Sequence, residues 1–381
     1  MKTIHSIIPS LEEIHGPVYV FRPKALEKSS LYFLKNFKGT CLYAVKSNSD
    51  PEVLQALNQY GIDHFEVASI NEIEMCHNMF PSSTLFFMHP VKSRQAIRQA
   101  YFQYGVRHFC LDSEDELKKI QEETQGAKDL SLHVRLEIPN QFAAMSLSGK
   151  FGKDLISIPK LIRKVDNYAK KIGITFHVGS QCMHPRAFEI SIQSAREIIA
   201  KTGVSLSYFN VGGGFPSMYP GMIPPSLDLY FSAIHHSFSK LDNHENIQLL
   251  AEPGRALVAE CMSLIVRVEL RKDKKLYINE GTYGGLFDAG TPRFIFPSKL
   301  ISNKTFGFSD LLPFSLYGPT CDSLDYMPGP FHLPFSIQEG DYIEIGQMGA
   351  YARSLTTSFN GFSPAKEMIN VIDPPLMSMY E

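Results

Sequence analysis

The chain has 381 residues, 44% of them hydrophobic and 20% charged, enough for a large core and about two domains. Lysine plus arginine number 37 against 39 aspartate plus glutamate, a formal net charge of −2. That balance argues against a nucleic-acid or membrane surface, which would carry a basic excess, and in favour of a small-molecule substrate.

The opening MKTIHSIIPSLEEIHG has one lysine followed by acidic residues and no apolar run of signal-peptide length. No window approaches the ~20 apolar residues of a membrane span, so the cytoplasm is the expected compartment. The six cysteines (41, 76, 110, 182, 261 and 321) lie far apart, with no CxxC pair and no metal-ligand spacing. They read as reduced thiols, and no metal is expected.

From about residue 40, short apolar runs alternate with segments of helical period. The runs are CLYAVK (41–46), HFEVAS (64–69), TLFFMH (84–89), HFCLD (108–112), SLHVRLE (131–137), ITFHVG (174–179), SYFNVG (207–212) and QLLAEP (248–253). Between them Asp50-Pro51 offers an N-cap followed by proline at the first helical position. Ser69 and Glu72 are spaced as a capping box. Leu161, Ile162 and Val165 give one helix a buried stripe, and Ile190, Ile192, Ile198 and Ile199 give another. Eight such units predict an α/β fold, a (β/α)8 TIM-like barrel of parallel strands. The polar residues at its strand tips are Lys46, Glu66, His89, Arg135, His177, Gly212–Gly214 and Glu252–Arg255, on the face where barrel enzymes place their chemistry.

After about residue 262 the texture changes. LIVRVELRKDKKLYINEG and IQEGDYIEIG alternate apolar and polar residues with period two, which predicts an antiparallel β domain. The expected boundaries are 22–261 for the barrel, with 1–21 and 262–381 forming the β domain. The polar, glycine-containing stretch 140–153 reads as a mobile lid.

Each tip residue has an ordinary reading. A lysine at a strand end is usually solvated, but one held among apolar walls has a lowered pKa and is a Schiff-base nucleophile. A glycine run is usually a flexible turn, but Gly213 and Gly214 also suit a backbone cradle for phosphate. Beside a phosphate, Gly254 and Arg255 would supply close backbone and charge, and Glu252 would face inward. His177, a lone histidine, is ordinarily a satisfied core residue; next to Gly179-Ser180 it suits stacking on a flat cofactor.

AVKSN, HVGSQ, GGGFP and EPGR, followed by GPTCDSLD and MGAY, resemble the pyridoxal-phosphate-dependent decarboxylases that act on ornithine, lysine, arginine and diaminopimelate. The resemblance runs from about residue 15 to 365, in the family's order and spacing. It implies pyridoxal 5'-phosphate carried by Lys46, a ring nitrogen paired with Glu252, a ring face stacked on His177, and Arg135 near the ring oxygen. Ser180, Gly214, Arg255 and Tyr351 would hold the phosphate. Glu66 stands where ornithine enzymes commonly have aspartate. Cys321 would return a proton to the α-carbon, and Asp322 would bind the substrate's distal ammonium, both entering from the partner of a homodimer with shared sites.

Asp288, in YGGLFDAG with Tyr283, would join Asp322 as a second carboxylate for one ammonium, which matches a basic diamino acid. CDSLD points away from diaminopimelate, whose enzymes usually show Glu after the cysteine. The leading expectation is therefore L-ornithine decarboxylation to putrescine in polyamine biosynthesis. The alternatives are lysine or dual ornithine/lysine activity, since one methylene is worth only ~1–3 kcal/mol, carboxynorspermidine, or a non-catalytic regulatory relative.

Overall fold

The computed structural model describes residues 2–14, 16–302, 306–362, 365 and 367–380. Eight parallel runs form a ring. The first is split at Leu42 into Thr40–Cys41 and Tyr43–Ala44, and the split closes the barrel: one half pairs with Gln248–Ala251, the other with His64–Val67. Thr84–Phe87, His108–Leu111, Ser131–Arg135, Lys171–Thr175 and Tyr208–Asn210 complete the circuit in chain order, each parallel to the next. Parallel neighbours need long crossovers, and the intervening helices supply them.

Most local expectations hold. Asp50 caps Pro51–Gln59 by accepting from Glu52 N at 3.0 Å. Ile158, Leu161, Ile162 and Val165 are the buried stripe of Ile158–Asp166. Ser69 caps Ile70–Met79, but Glu72 reaches back to Ala68 N at 2.6 Å, so the box closes one residue early. In Arg186–Thr202 the buried stripe is Ala187, Phe188, Ser191, Ile192, Ala195 and Ile198; Ile190 and Ile199 flank it half-buried.

Two elements depart from the sequence pattern. The sixth strand begins at Lys171, earlier than its apolar run, and includes Gly173, where a Cβ would lie 2.6 Å from His133 Nδ1. The eighth strand is followed only by Arg255–Val258, too short to cover the barrel. Its place in the outer ring is filled by Pro23–Asn36, which precedes the first strand. That helix packs on Leu227–Phe238 through Phe33 against Phe231 (5.0 Å between ring centroids), and Ser29 Oγ donates to Leu257 O at 2.7 Å.

The second sheet is mixed, a correction to the antiparallel expectation. Met262–Lys272 is its hub, antiparallel to Val18–Phe21, Lys275–Ile278 and Tyr342–Ile345. Lys275–Ile278 runs parallel to Leu311–Tyr317, and Val18–Phe21 parallel to Met368–Asn370. The long excursion between residues 278 and 311, with its own strand Ser298–Leu300 on the sheet edge, provides the crossover that parallel pairing requires. The first five residues of Met262–Lys272 are all buried, because the sheet here is covered on both faces; alternation begins only at Arg267.

Candidate active site

The site lies at the C-terminal ends of the barrel strands. Lys46 sits on the single turn Val45–Ser47 just past the first strand, and its Nζ contacts Glu66 Oε2 at 2.5 Å across the mouth. Burial works against the lysine's charge, but Glu66, then Tyr351 and Glu252, outweigh it and raise the pKa. The sequence expectation of a lowered lysine pKa is thus reversed, for a physical reason: the walls here are acidic, not apolar. With 41% of its side chain exposed, Lys46 also keeps some hydration.

Glu252 follows the eighth strand and is buried. Burial, then the charge of Glu66, pushes its carboxyl up to about 7, against the opposing pull of Lys46, Arg135 and an amide hydrogen bond from Asn210. His177 lies two residues past the sixth strand. Burial, with Arg135 and Lys46 adding positive charge, holds its pKa well below the ordinary value, so the imidazole is neutral. Gly179 N donates to its Nδ1 at 3.0 Å, which places the ring proton on Nε2.

The glycine run is a site of close approach. A Cβ on Gly212 would lie 1.9 Å from Phe176 O, one on Gly213 3.0 Å from His177 Nε2, and one on Gly214, at φ +100°, 2.4 Å from Gly179 O. Gly212 N is already engaged by Asn210 Oδ1 at 2.8 Å, which leaves Gly213 and Gly214 as the cradle. Gly254 allows a second approach: its Cβ would meet Ser47 at 2.9 Å, so the EPGR turn rests on the lysine turn. Tyr351, at φ +58°, is tied to the same turn by its N–H donating to Ser47 O at 2.8 Å, and its ring lies 4.9 Å from Arg255 Cζ. Arg135 ends the fifth strand with its guanidinium 5.6 Å from the Phe151 ring, and Ser180 is half-buried at the start of Ser180–Cys182.

The stretch 140–153, expected as a mobile lid, is pinned at several points. Ala143–Met145 pairs antiparallel with Ser180–Cys182, Asn140 Nδ2 donates to His177 O at 3.1 Å, and Gly152 N donates to Asp112 Oδ2 at 2.9 Å.

Asp288 lies beside Arg255. It is buried, and its Oδ2 accepts from Arg255 Nη2 at 3.0 Å. The sequence expectation for Asp288 is the substrate's ammonium; the charge it meets here is a buried guanidinium, which requires a counter-charge.

Cys321, Asp322 and Tyr283 form a separate group on the β domain. The Cys321 thiol is exposed and contacts Asn360 Oδ1 at 3.2 Å, while the other five cysteines are buried. Asp322 Oδ2 accepts from the Tyr283 hydroxyl at 2.5 Å, and Tyr283 packs on Phe359 with ring centroids 4.7 Å apart. A backbone hydrogen bond from Leu324, with the one from Tyr283, holds the Asp322 carboxyl low. Asp325 locks the loop that carries them, accepting from Thr282 N at 2.7 Å and Thr320 N at 3.0 Å. Asn210, Tyr219, Asp325 and Asn360 escaped the sequence reading; a polar residue beside an already suspicious motif is their only local signal.

These residues fit a flat phosphorylated aldehyde. A lysine amine faces carboxylates, a histidine lies beside a glycine cradle that any Cβ would fill, and buried Arg255 retains an Nε with no partner among the described residues. Among the described residues no cluster could hold a metal ion, and no helix is long and apolar enough to cross a membrane.

Residues 24–259 match the family model described as pyridoxal-dependent decarboxylase, pyridoxal binding domain. Ornithine decarboxylase of Panagrellus redivivus is 31% identical over 353 residues, covering 85% of this chain and 78% of that one. Antizyme inhibitor 2 of Xenopus laevis is 30% identical over 354 residues, covering 84% and 73%. The crystal structure of a lysine/ornithine decarboxylase from Vibrio vulnificus, complexed with putrescine, superposes with a TM-score of 0.82 at 28% identity, covering 97% of this chain and 98% of that one. The chain belongs to the pyridoxal-dependent decarboxylase family and is a pyridoxal-phosphate-dependent amino-acid decarboxylase.

Proposed function

We propose that the protein decarboxylates L-ornithine to putrescine as a homodimer whose two sites are shared between subunits. The observation that carries this reading is the division of the functional residues. Lys46, Glu66, His177, Glu252 and Arg255 gather at the barrel mouth, whereas Cys321 and Asp322 stand together on the β domain, at the protein's surface. A partner subunit presenting that loop would complete each site.

Bound pyridoxal phosphate supplies an electron sink for the bond that breaks when carbon dioxide leaves. Lys46 would hold the cofactor, and Glu252 would keep a proton at the ring nitrogen. Neutral His177 would cover one ring face, with Arg135 near the ring oxygen. Gly213, Gly214, Ser180, Gly254, Arg255 and Tyr351 would hold the phosphate. Asp322 of the partner would accept the distal ammonium, steadied by Tyr283, and Cys321 of the partner would give its S–H proton to the α-carbon.

A single carboxylate facing the distal end supports a substrate with one terminal cation, and relatives named for ornithine support that chain length. Lysine or dual activity is the second reading, favoured by the likeness to the Vibrio vulnificus lysine/ornithine enzyme. Carbon dioxide release, measured side by side with ornithine, lysine, arginine and diaminopimelate, separates the two. Strong preference for ornithine is the expected result, and turnover of lysine alone moves the substrate. No release from any, despite bound cofactor, shifts the reading to carboxynorspermidine or to a non-catalytic relative.

A further inference from the structure

Arg255 is a buried cation boxed in by three segments of the chain. Its Nη1 donates to the Tyr219 hydroxyl at 2.7 Å and its Nη2 to Asp288 Oδ2 at 3.0 Å. The Phe294 ring lies 5.2 Å from Cζ on one side and the Tyr351 ring 4.9 Å on another. Phe294 N in turn donates to Asp288 O at 2.8 Å, so the segment that carries the carboxylate also carries the aromatic wall. Tyr219 is fully buried against Phe294 and Phe296, with ring centroids 5.2 and 5.3 Å away. The third nitrogen of this fixed guanidinium, Nε, is buried and has no partner among the described residues.

We infer that Asp288 is a positioning residue for the cofactor phosphate: with Tyr219 it fixes both terminal nitrogens of Arg255, so that the guanidinium is held ready for an anion before one arrives. The inference rests on the pyridoxal-phosphate reading above. Three physical points support it. A long side chain fixed in advance loses less freedom on binding. A buried arginine without a carboxylate would carry an uncompensated charge whenever the phosphate is absent. A carboxylate already bonded to Arg255 is spoken for, which leaves the distal ammonium to Asp322.

The charge of Asp288 opposes a phosphate while its geometry helps, and substitution separates the two. Asp288→Asn keeps an oxygen that accepts from Nη2; Asp288→Ala keeps nothing. Affinity of the apoprotein is measured for pyridoxal phosphate and, in parallel, for pyridoxal, which lacks the phosphate. Loss of a hydrogen bond to a charged group is expected to weaken pyridoxal phosphate about tenfold or more in Asp288→Ala. Pyridoxal binding should stay at the wild-type level, and Asp288→Asn should hold pyridoxal phosphate near it. Tyr219→Phe, a gentler change, is expected to weaken pyridoxal phosphate selectively by about threefold, a neutral hydrogen bond being worth less. It keeps the question open to measurement if the alanine variant fails to fold.

Equal losses for both ligands would mean a merely structural role and overturn the inference. So would unchanged cofactor affinity with a raised KM for ornithine in Asp288→Asn, which would return the carboxylate to the substrate. Wild-type apoprotein that binds neither ligand would remove the cofactor reading itself, a failure distinct from these two.

Discussion

Asn210 Nδ2 donates to Glu252 Oε1 at 2.7 Å, both groups being buried. The other end of the same amide, Oδ1, accepts from Gly212 N at 2.8 Å, and Glu252 N donates to Gly212 O at 2.8 Å. One side chain thus ties the glycine cradle to the carboxylate proposed for the ring nitrogen, across two neighbouring strands.

The consequence is a shift in acidity. Asn210 holds the Glu252 carboxyl down against burial and Glu66, which push it up to about 7. Asn210→Leu, similar in size, removes that hold and leaves a buried carboxylate oxygen unpaired. A hydrogen bond to a charged group is worth ~1.5–3 kcal/mol, so kcat/KM is expected to fall roughly 10- to 100-fold. Asn210→Asp brings in a like charge, which raises the Glu252 pKa further; the pH below which activity declines should move upward. An unchanged pH–rate profile in Asn210→Asp would separate Glu252 from the reaction.

Lys46 Nζ is in direct contact with Glu66 at the mouth. Lys46→Ala should show none of the visible absorbance of lysine-bound cofactor and lose at least ~10³-fold in turnover, the scale of removing a covalent catalyst. Spectra and carbon dioxide release on the same sample check it. Full activity in the variant would remove the central assignment.

Shared sites make a quantitative claim. Lys46→Ala and Cys321→Ala should each be nearly inactive, yet an equal mixture that exchanges subunits gains heterodimers with one intact site. With random pairing, half the dimers are mixed and each has one working site of two, so recovery should reach about a quarter of wild type. No recovery, with exchange shown by a tagged subunit, would place Cys321 and Lys46 of one site on the same chain.

Much of this site was legible because barrel strands end where chemistry sits: Lys46, Arg135, His177, Gly212–Gly214 and Glu252 all lie at or just past strand ends. The cover of the eighth strand was less legible: the helix that supplies it, Pro23–Asn36, lies at the opposite end of the barrel sequence. The bond between Asp288 and Arg255 was not legible for a similar reason. Proximity to Tyr283 in sequence says nothing of which charge a carboxylate meets across the fold. The buried arginine was the better guide, since its charge demands a partner. Asn210 was passed over inside SYFNVG because a strand pattern marks which residues are buried, not which of them bond sideways.

The far end of the barrel carries its own test. His108 Nδ1 and His133 Nε2 lie 3.2 Å apart, with the His108 ring tilted against Phe86 at 3.9 Å between centroids. Burial, then Lys171 and His64, lowers His108 to about 4; burial, then His108, holds the fully buried His133 well below its usual value. The unfolded chain takes up these protons near pH 6.5, while the folded chain resists until about 4 for His108. Stability is therefore fully present above 6.5 and drains away as pH falls toward 4, with a slope of up to about 1.4 kcal/mol per pH unit for each imidazole. The urea midpoint should drop between pH 7 and pH 5, and His133→Gln, which cannot titrate, should lessen that drop. A wild-type midpoint that stays level across the interval would show that the pair takes up its protons at the same pH in the folded barrel as in the unfolded chain.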